Sequence, residues 1–468
     1  MFNPKKFFGS VPASASPVPR HGADWKLKIS NWWGGATIAS PTMEVAGPAK
    51  QAVTAVRRFF DDPPALNRYY LQDMDYSRFL IRQLLELDAS TPVVFEASGT
   101  AALLLASRLC AHVSAGVADV SSNRFFNITT DEGGSLIPAV LKGRNPNDME
   151  ATMFQPSSSL FYQAEPVLAY PSAMTPQSKV IGLSRLTDDG LVDAIKEAAH
   201  SLSEGGRLAG CLVLPHVTKT GRILPIAAIS RAVSELKAEG IELYYIVDDI
   251  QGIGRMDAES IANPVSFCDA YVFGSAKALG GLLTASTVVL KRELLEAFVR
   301  RAQSGLMSEE PAWISHFQFE PQYEDRFPRH LFKPGAISIP EVVAMREAVR
   351  CHYLRGVGDT YSERRRHQLA LVVRQRRQLV DALTAIPGIE VLESTSDYPL
   401  VPSIVCFKVP DCWSPNAFKQ AMQSSHPIVT PSACIGRYVR LDIPEYRSMP
   451  SIEVLVKTIR RILEHGGD

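Results

Sequence analysis

The chain has 468 residues, of which 46% are apolar and 21% are charged. Its 49 Lys and Arg residues equal its 49 Asp and Glu residues, so the formal net charge is zero. Nucleic-acid backbones are met by a basic excess, so this balance argues against nucleic acid as the main partner. The length suits roughly two or three domains with buried cores. The seven cysteines include no C-x-x-C pair, which argues against zinc ribbons and a disulfide framework.

The N-terminal residues carry no secretion signal. The apolar pair Phe7 and Phe8 soon gives way to Ser and Pro, so the apolar core of a signal peptide is missing. The longest apolar stretch lies around residues 101–106 and ends at Arg108, far short of the ~20 residues of a membrane span. We therefore expect a cytoplasmic protein with no membrane partner. Residues 10–20, rich in Ser, Pro and Ala, are expected to form an arm or an extended strap.

The middle of the chain alternates short apolar, β-branched runs with longer helical patterns. This alternation is typical of βαβ units and a largely parallel sheet whose strands are buried on both faces. The predicted strands are 93–95, 125–130, 179–183, 211–214, 243–247, 270–273 and 287–290, and the predicted helices are 99–113, 136–142, 191–202 and 226–239.

The pattern changes after about Phe332. Residues 340–386 are expected to form long helices, and the remainder mixes short strands with helices near 417–422 and 452–464. The predicted fold class is therefore α/β, with a three-layer α/β/α large domain, a mostly parallel sheet and a small α+β C-terminal domain. The predicted divisions are an N-terminal arm and helix at 1–75, a large domain at 76–335 and the small domain at 336–468.

Several chemically suggestive segments stand at the ends of predicted strands, where open parallel sheets bind ligands. The first is Glu96–Ala102, which follows a strand and opens a helix. Free N–H groups and the helix dipole favour a phosphate at such a terminus, and Gly99 allows close approach of the backbone. Ser98 and Thr100 add hydroxyl donors. The alternative is an ordinary helix cap formed by one of these two hydroxyls.

The second segment places Asp248 and Asp249 at the end of a predicted buried strand. Buried carboxylates are costly unless they meet a cation, which here would be a protonated ring nitrogen or a metal ion. The magnesium interpretation lacks an accompanying phosphate-binding Gly-Lys-Ser/Thr motif. A surface turn that uses Asp, Gln and Gly is the structural alternative.

The third segment, Phe273–Gly281, places Lys277 among small apolar residues just after a strand. Poor solvation lowers the pKa of a lysine and makes its amine nucleophilic, as Schiff-base chemistry requires. A surface lysine whose stem lies along apolar neighbours is the alternative. In the fourth segment, Tyr438–Asp442, Arg440 alternates with apolar residues and either binds a carboxylate ligand or forms an internal ion pair.

Taken in this order, the segments resemble those of pyridoxal 5'-phosphate (PLP) enzymes of fold type I, the aspartate aminotransferase superfamily. The resemblance is greatest to the class V aminotransferase and cysteine-desulfurase-like branch. It covers about residues 90–345 well and the C-terminal part loosely. It implies that Lys277 forms the Schiff base with PLP and moves the substrate Cα proton. It also implies that Asp248 keeps the pyridine nitrogen protonated and that Gln251 contacts the phenolic oxygen.

The same resemblance implies further cofactor contacts. The phosphate loop corresponds to Ser98, Gly99, Thr100 and Ala101, with Ser275 as an added contact. Residues 216–221 resemble the H-V-x-N-x-x-G loop without its Asn, which Thr218 would replace. Residues 334–340 resemble the G-T-x-x-x-P segment that reaches the partner subunit's phosphate, with Ser338 in place of the Thr. Arg440 corresponds to the arginine that binds the substrate α-carboxylate.

The chain departs from the family pattern at two places. The loop at 130–135 offers no aromatic or His to stack on the ring, which leaves Glu132 or the pair Phe125 and Phe126 as candidates. Cys434 resembles the persulfide-forming Cys of some desulfurases. Only six positions separate it from Arg440, too few for the long mobile loop of those enzymes, so we interpret it as a structural Cys.

The resemblance implies an enzyme that acts on an amino acid through an external aldimine and a Cα carbanion. Aminotransferase chemistry is the first expectation, and elimination or replacement at Cβ or Cγ of a bulky amino acid is the alternative. A non-catalytic protein with this fold is the remote third interpretation. The resemblance also implies a homodimer with shared active sites. No metal site is predicted.

Overall fold

The computed structural model describes most of the chain outside its N-terminal arm and several loops. The described residues are 43–58, 62–114, 125–130, 178–183, 186–204, 209–281, 285–304, 314–315, 320–324, 326, 332–333, 339–425, 433–435, 438–443 and 452–465. The predicted helix at 136–142 lies outside them.

A seven-stranded sheet forms the centre of the large part of the protein. Its strands are β1 (Val93–Glu96), β2 (Phe125–Thr130), β3 (Ser178–Ile181), β4 (Ala209–Pro215), β5 (Glu242–Asp248), β6 (Ala270–Gly274) and β7 (Ser286–Leu290). They are ordered β1-β7-β6-β5-β4-β2-β3. Neighbours from β6 to β3 are parallel, whereas β7 runs antiparallel to both β1 and β6. The mostly parallel sheet predicted from the sequence is confirmed.

Alternate side chains of each central strand enter two separate cores, one on each face of the sheet. In β4, Leu212 and Leu214 face one core, and Cys211 and Val213 face the other. This follows from the two-residue period of a strand, and it explains why these strands are apolar throughout. The result is the predicted three-layer arrangement of helices, sheet and helices.

The helices that cover the two faces come from distant parts of the chain. They are α1 (Met43–Arg58), α2 (Pro63–Leu84), α3 (Gly99–Val113), α4 (Asp188–Ser203), α5 (Ile226–Ala238), α6 (Ala258–Ile261), α7 (Arg292–Gln303), α8 (Pro321–Glu324) and α9 (Ile339–Leu354). Helices α3 and α7 cover one face of the sheet. Helices α2, α4, α5 and α9 contribute to the core on the other.

Helix α9 begins beyond residue 335, the predicted limit of the large domain, yet its buried side chains belong to the large core. Val342, Met345 and Val349 lie in that core, and α9 packs along α1 and α2. The two strand pieces β8 (Ile314–Ser315) and β9 (Phe332–Lys333) pair with each other ahead of it.

The C-terminal part has its own antiparallel sheet and core. Its strands β10 (Glu390–Val391), β11 (Ile404–Lys408), β12 (Ala433–Ile435) and β13 (Tyr438–Asp442) are ordered β10-β11-β13-β12. Helices α10 (Tyr361–Thr384), α11 (Pro415–Ser425) and α12 (Ile452–His465) complete it. Helix α10 opens with a capping box in which the side chains of Thr360 and Glu363 each accept a hydrogen bond from the other's backbone N–H. This is the predicted small α+β part.

Candidate active site

Strand register brings the predicted segments to one edge of the large sheet. Pro215 at the end of β4 pairs with Asp248 at the end of β5, and Asp248 pairs with Val272 in β6. Ser286, the first residue of β7, pairs with both Glu96 of β1 and Gly274 of β6. The start of helix α3, the aspartate pair and the Lys277 loop therefore follow strands that end along the same edge.

Asp248 is a buried carboxylate at this edge. Its Oδ1 accepts a hydrogen bond from the Ile250 backbone N–H at 3.1 Å. Burial raises the pKa of Asp248 to about 6, while the Ile250 hydrogen bond and the charges of Lys277 and Lys219 oppose that rise. A carboxylate with these neighbours is suited to hold a cation that comes from a ligand.

The adjacent carboxylate of Asp249 has a different environment. It is fully buried and accepts a hydrogen bond from the Tyr271 hydroxyl. Its Oδ1 also lies 3.1 Å from Nδ1 of His216. Burial and the neighbouring Asp249 charge raise the pKa of Tyr271 well above its usual value, which keeps that hydroxyl a donor. Asp249 therefore has protein partners, and Asp248 is the carboxylate that interacts with Lys277.

Lys277 lies in the loop after β6 and is half-buried. Burial lowers the pKa of its amine to about 7. The charge of Asp248 opposes this effect, whereas the charges of Arg440, Lys219 and Arg255 add to it. A lysine with a pKa near 7 is partly neutral at neutral pH, which is the form that attacks a carbonyl carbon.

The N-terminus of α3 lies beside the aspartate loop. The Ser98 side chain accepts a hydrogen bond from the Ala101 N–H at 3.1 Å, so the helix-cap interpretation of Ser98 describes its geometry. Gly99 is close-packed, because a Cβ at this position would lie 2.1 Å from Cδ1 of Ile250. The loop after β6 contributes the Ser275 Oγ, which is buried and has no hydrogen-bond partner among the described residues. A buried hydroxyl of this kind is available to a ligand oxygen.

Arg440 reaches the same region from strand β13. It forms a two-point ion pair with Asp442, through Nε to Oδ2 at 3.0 Å and Nη2 to Oδ1 at 2.7 Å. It also donates to the Lys219 carbonyl at 2.7 Å and to Oε1 of Gln251 at 3.2 Å. Of the two interpretations that the sequence left open, the internal ion pair is the one present.

The loop after β4 turns back at Thr218. Its hydroxyl contacts the Thr220 hydroxyl at 2.9 Å and accepts from the Arg222 N–H at 3.1 Å. These contacts hold the turn itself. The neighbouring Lys219, which sequence reasoning did not single out, is the residue whose charge acts on both Asp248 and Lys277. Its position in the loop at 216–221, which follows the buried strand β4, was the available signal.

The candidates Phe125 and Phe126 for ring stacking are wrong. Both are fully buried at the beginning of β2, where they pair with Ala209 and Gly210 at the beginning of β4. Phe126 lies four positions before Thr130, the last residue of β2, which is a distance of about 13 Å along a strand. The pair therefore lies deep in the sheet, away from its carboxyl edge.

Other predicted positions lie outside the described residues. These are Ser338 with residues 334–337, the loop at 131–135 with Glu132, the N-terminal arm, and the side chains of Thr100 and Cys434. In the described part of the chain, no group of three or more His, Cys, Asp or Glu side chains is arranged to hold a metal ion. No helix in that part is both long and apolar enough to cross a membrane.

The structure is similar to several solved enzymes. The cystine C–S lyase C-DES, in a variant with glycine covalently linked to its PLP cofactor, has a TM-score of 0.61 at 12% identity, covering 95% of this chain and 99% of that chain. Pyridoxamine–pyruvate aminotransferase from Mesorhizobium loti has a TM-score of 0.58 at 16% identity, covering 92% of this chain and 91% of that chain. The cysteine desulfurase CsdA from Escherichia coli has a TM-score of 0.56 at 16% identity, with 99% of each chain covered.

These similarities extend over nearly the whole length of both chains in each comparison. No protein-family model and no curated protein sequence matches the chain. Identities this low establish the fold and leave the chemistry to be argued from the site. The chain shares the fold of these solved structures, which is the fold type I that the resemblance noted in the sequence implies.

Proposed function

We propose that the protein is a PLP-dependent enzyme that acts on an amino acid. One observation carries this proposal: in a fold shared with such enzymes, a lysine with a pKa of about 7 interacts with a buried carboxylate at the ligand-binding edge of the sheet. Titratable groups whose pKa values are shifted by burial and by each other are concentrated at functional sites, which favours an enzyme over a non-catalytic protein.

The residues at this edge fit the cofactor. The N-terminus of α3 and the unpartnered Ser275 hydroxyl suit a phosphate, which is an anion with several acceptor oxygens. Asp248 suits a protonated pyridine nitrogen, and Lys277 suits the aldehyde carbon. When bound, PLP supplies an electron sink that stabilises negative charge at the substrate Cα. Gln251 would lie against the phenolic oxygen of the ring.

Lys277 has the properties required to hold and move a proton. Its partly neutral amine can accept a proton from a bound amino acid near neutral pH and return it at another atom. Asp248 remains ionised beside a bound cation, because an opposite charge lowers the pKa of a carboxyl. Lys219 adds a second positive charge that favours an anionic ligand at this site.

For the reaction type, we propose aminotransferase chemistry. The similarity to pyridoxamine–pyruvate aminotransferase supports this choice. The similarity to a C–S lyase and a cysteine desulfurase supports the second candidate, elimination or replacement at Cβ or Cγ. The homodimer with shared sites and the cytoplasmic location stay predictions from the sequence.

The proposal is tested by reconstituting the purified protein with PLP and adding a panel of amino acids. We expect a yellow protein whose visible spectrum changes with at least one amino acid. Conversion of PLP to pyridoxamine phosphate would support aminotransferase chemistry, whereas release of a Cβ or Cγ fragment would support elimination. A protein that PLP cannot colour would contradict the proposal.

A further inference from the structure

Helix α10 carries an arginine-rich segment whose arginines divide between two sides of the helix. Three of them donate to backbone carbonyl groups elsewhere in the protein: Arg364 to Tyr353, Arg365 to Gly254 and Met256, and Arg376 to Ile404. The other three, Arg366, Arg374 and Arg377, are exposed. Arg374 and Arg377 have no hydrogen-bond or ion-pair partner among the described residues, and Arg366 lies 3.8 Å from the exposed Glu259. These three arginines therefore contribute little to the stability of the fold.

Apolar side chains lie between these exposed arginines on the same side of α10. Leu371 and Val373 are 44% and 45% exposed. Counted from Arg366, the residues four, seven and eleven positions further along the helix are Ala370, Val373 and Arg377. This spacing aligns them along one face over about 16 Å, and the opposite face is buried in the core of the small part. We call the exposed set the α10 ridge: Arg366, Ala370, Leu371, Val373, Arg374 and Arg377.

Carboxylates limit the α10 ridge at both of its ends. Glu363 lies three positions before the first arginine of the ridge and Asp381 lies four positions after the last, and both are exposed on the same face. A planar anionic membrane would meet these carboxylates together with the arginines, which weakens its attraction to the ridge. A nucleic-acid backbone would gain nothing from the apolar side chains between the arginines. The ridge therefore suits a short ligand that is both acidic and apolar.

Charge also decides between the protein segments that could cover the ridge. Pairing of two ridges from two copies of the chain would place the same arginines against each other, and like charges repel. Residues 1–42 of this chain carry five Lys and Arg residues and one Asp, so the ridge repels them as well. The segment that complements the ridge comes from another protein and has carboxylates on both sides of an apolar group.

We propose that the α10 ridge is a docking surface for an acidic amphipathic helix of a partner protein. Carboxylates of the partner pair with Arg366, Arg374 and Arg377, and an apolar side chain between them packs on Leu371 and Val373. An amphipathic helix presents apolar residues at i, i+3, i+4 and i+7 and flanks them with charges that select its partner, which complements the ridge. This inference is independent of the proposed function, because the ridge contains none of the residues assigned to the active site.

The test is fluorescence anisotropy of the full chain with a labelled synthetic peptide of about 18 residues, a helix about 27 Å long in which Glu residues flank a line of leucines. A second peptide has Gln in place of every Glu. We expect the protein to bind the acidic peptide and to bind the Gln peptide at least about tenfold more weakly. Arg374→Glu/Arg377→Glu should weaken binding of the acidic peptide by at least about tenfold. Val373→Ser keeps every charge and should weaken it by about tenfold, because an apolar contact is lost.

Arg231→Glu/Arg300→Glu is the matched control, because it reverses the charge of two arginines that are exposed on α5 and α7 of the large part. We expect this control to bind the acidic peptide as tightly as wild type does, and far-UV circular dichroism shows that each variant is folded. Equal weakening in the control, or an unchanged affinity in Val373→Ser, would mean that the peptide is attracted by charge alone and would overturn the proposal. A wild type that does not bind the peptide overturns it too, including one that instead binds vesicles of phosphatidylserine and phosphatidylcholine.

Discussion

Replacement of Asp248 by Asn removes a charge from the site while keeping the side chain's shape. The Asn oxygen can still accept from the Ile250 N–H, which now lies 3.1 Å from Oδ1. An opposite charge within about 4–6 Å shifts a pKa by roughly one to three units, so the bound pyridine nitrogen would be protonated about 10 to 1,000 times less in Asp248→Asn. We expect turnover to fall by about the same factor, because the protonated ring is what stabilises the carbanion.

A second effect of Asp248→Asn concerns the unliganded protein. The Asp248 charge raises the pKa of Lys277, against burial and the charges of Arg440 and Lys219. Without that charge, the pKa of Lys277 should fall below its value of about 7. The pH at which cofactor-free protein captures PLP at half its maximal rate should therefore move downward.

Both effects are measured in one pair of assays. Exchange of the amino-acid Cα proton with deuterated solvent, followed by NMR, reports carbanion formation whatever the final product. Stopped-flow capture of PLP between pH 5 and 9 (on the order of two units either side of neutral) reports the protonation of the Lys277 amine. Asp249→Asn is the matched control. The Asp249 carboxylate accepts a hydrogen bond from Tyr271, so we expect this variant to lose less of the exchange rate than Asp248→Asn. A full exchange rate in Asp248→Asn, or a larger loss in Asp249→Asn, would refute the assignment.

Three further predictions concern the surroundings of Lys277. Lys219→Met removes a positive charge that lowers the pKa of Lys277, so the pH midpoint of PLP capture should rise, and an unchanged midpoint would exclude Lys219 from the site. Ser275→Ala should weaken PLP binding by about tenfold without lowering the unfolding temperature of the cofactor-free protein, because the hydroxyl has no partner among the described residues. Gly281→Ala should lower the free energy of unfolding by about 1–3 kcal/mol, since its Cβ would lie 2.3 Å from Ser275 Oγ. Denaturant titration of Gly281→Ala and of the control Gly47→Ala checks this result, because an added Cβ at position 47 would meet nothing within 4 Å. Equal stability of the two variants would contradict the prediction.

Local patterns account for the parts of the fold that could be predicted. Runs such as residues 211–214 and 288–290 are apolar on both faces, and parallel strands alternating with helices place Asp248 and the Lys277 loop at one edge. Their proximity follows from the order of strands along the chain, so the sequence was sufficient to predict that Asp248 and the Lys277 loop lie close together. The small residues around Lys277 likewise predicted its desolvation, and in the structure burial lowers the pKa of its amine to about 7.

Long-range contacts account for what could not be predicted. The pairing of Arg440 with Asp442 and its reach to Gln251 depend on how the small part sits against the loop after β4, which no local pattern encodes. Helix α9 has no strong amphipathic period because its buried residues lie on several sides, against α1 and α2 and, through Met345, against Thr287 of β7. Phe125 and Phe126 were misjudged because both faces of β2 are buried.

The most direct test of the account is covalent trapping at Lys277. PLP-loaded protein is treated with borohydride and digested, and the pyridoxyl-bearing peptide is identified by mass spectrometry, with Lys277→Ala and Lys219→Met run in parallel. We predict that the label lies on Lys277 in the wild type, remains there in Lys219→Met and is absent from Lys277→Ala. A label on Lys219, or an equal label in Lys277→Ala, would contradict the central claim.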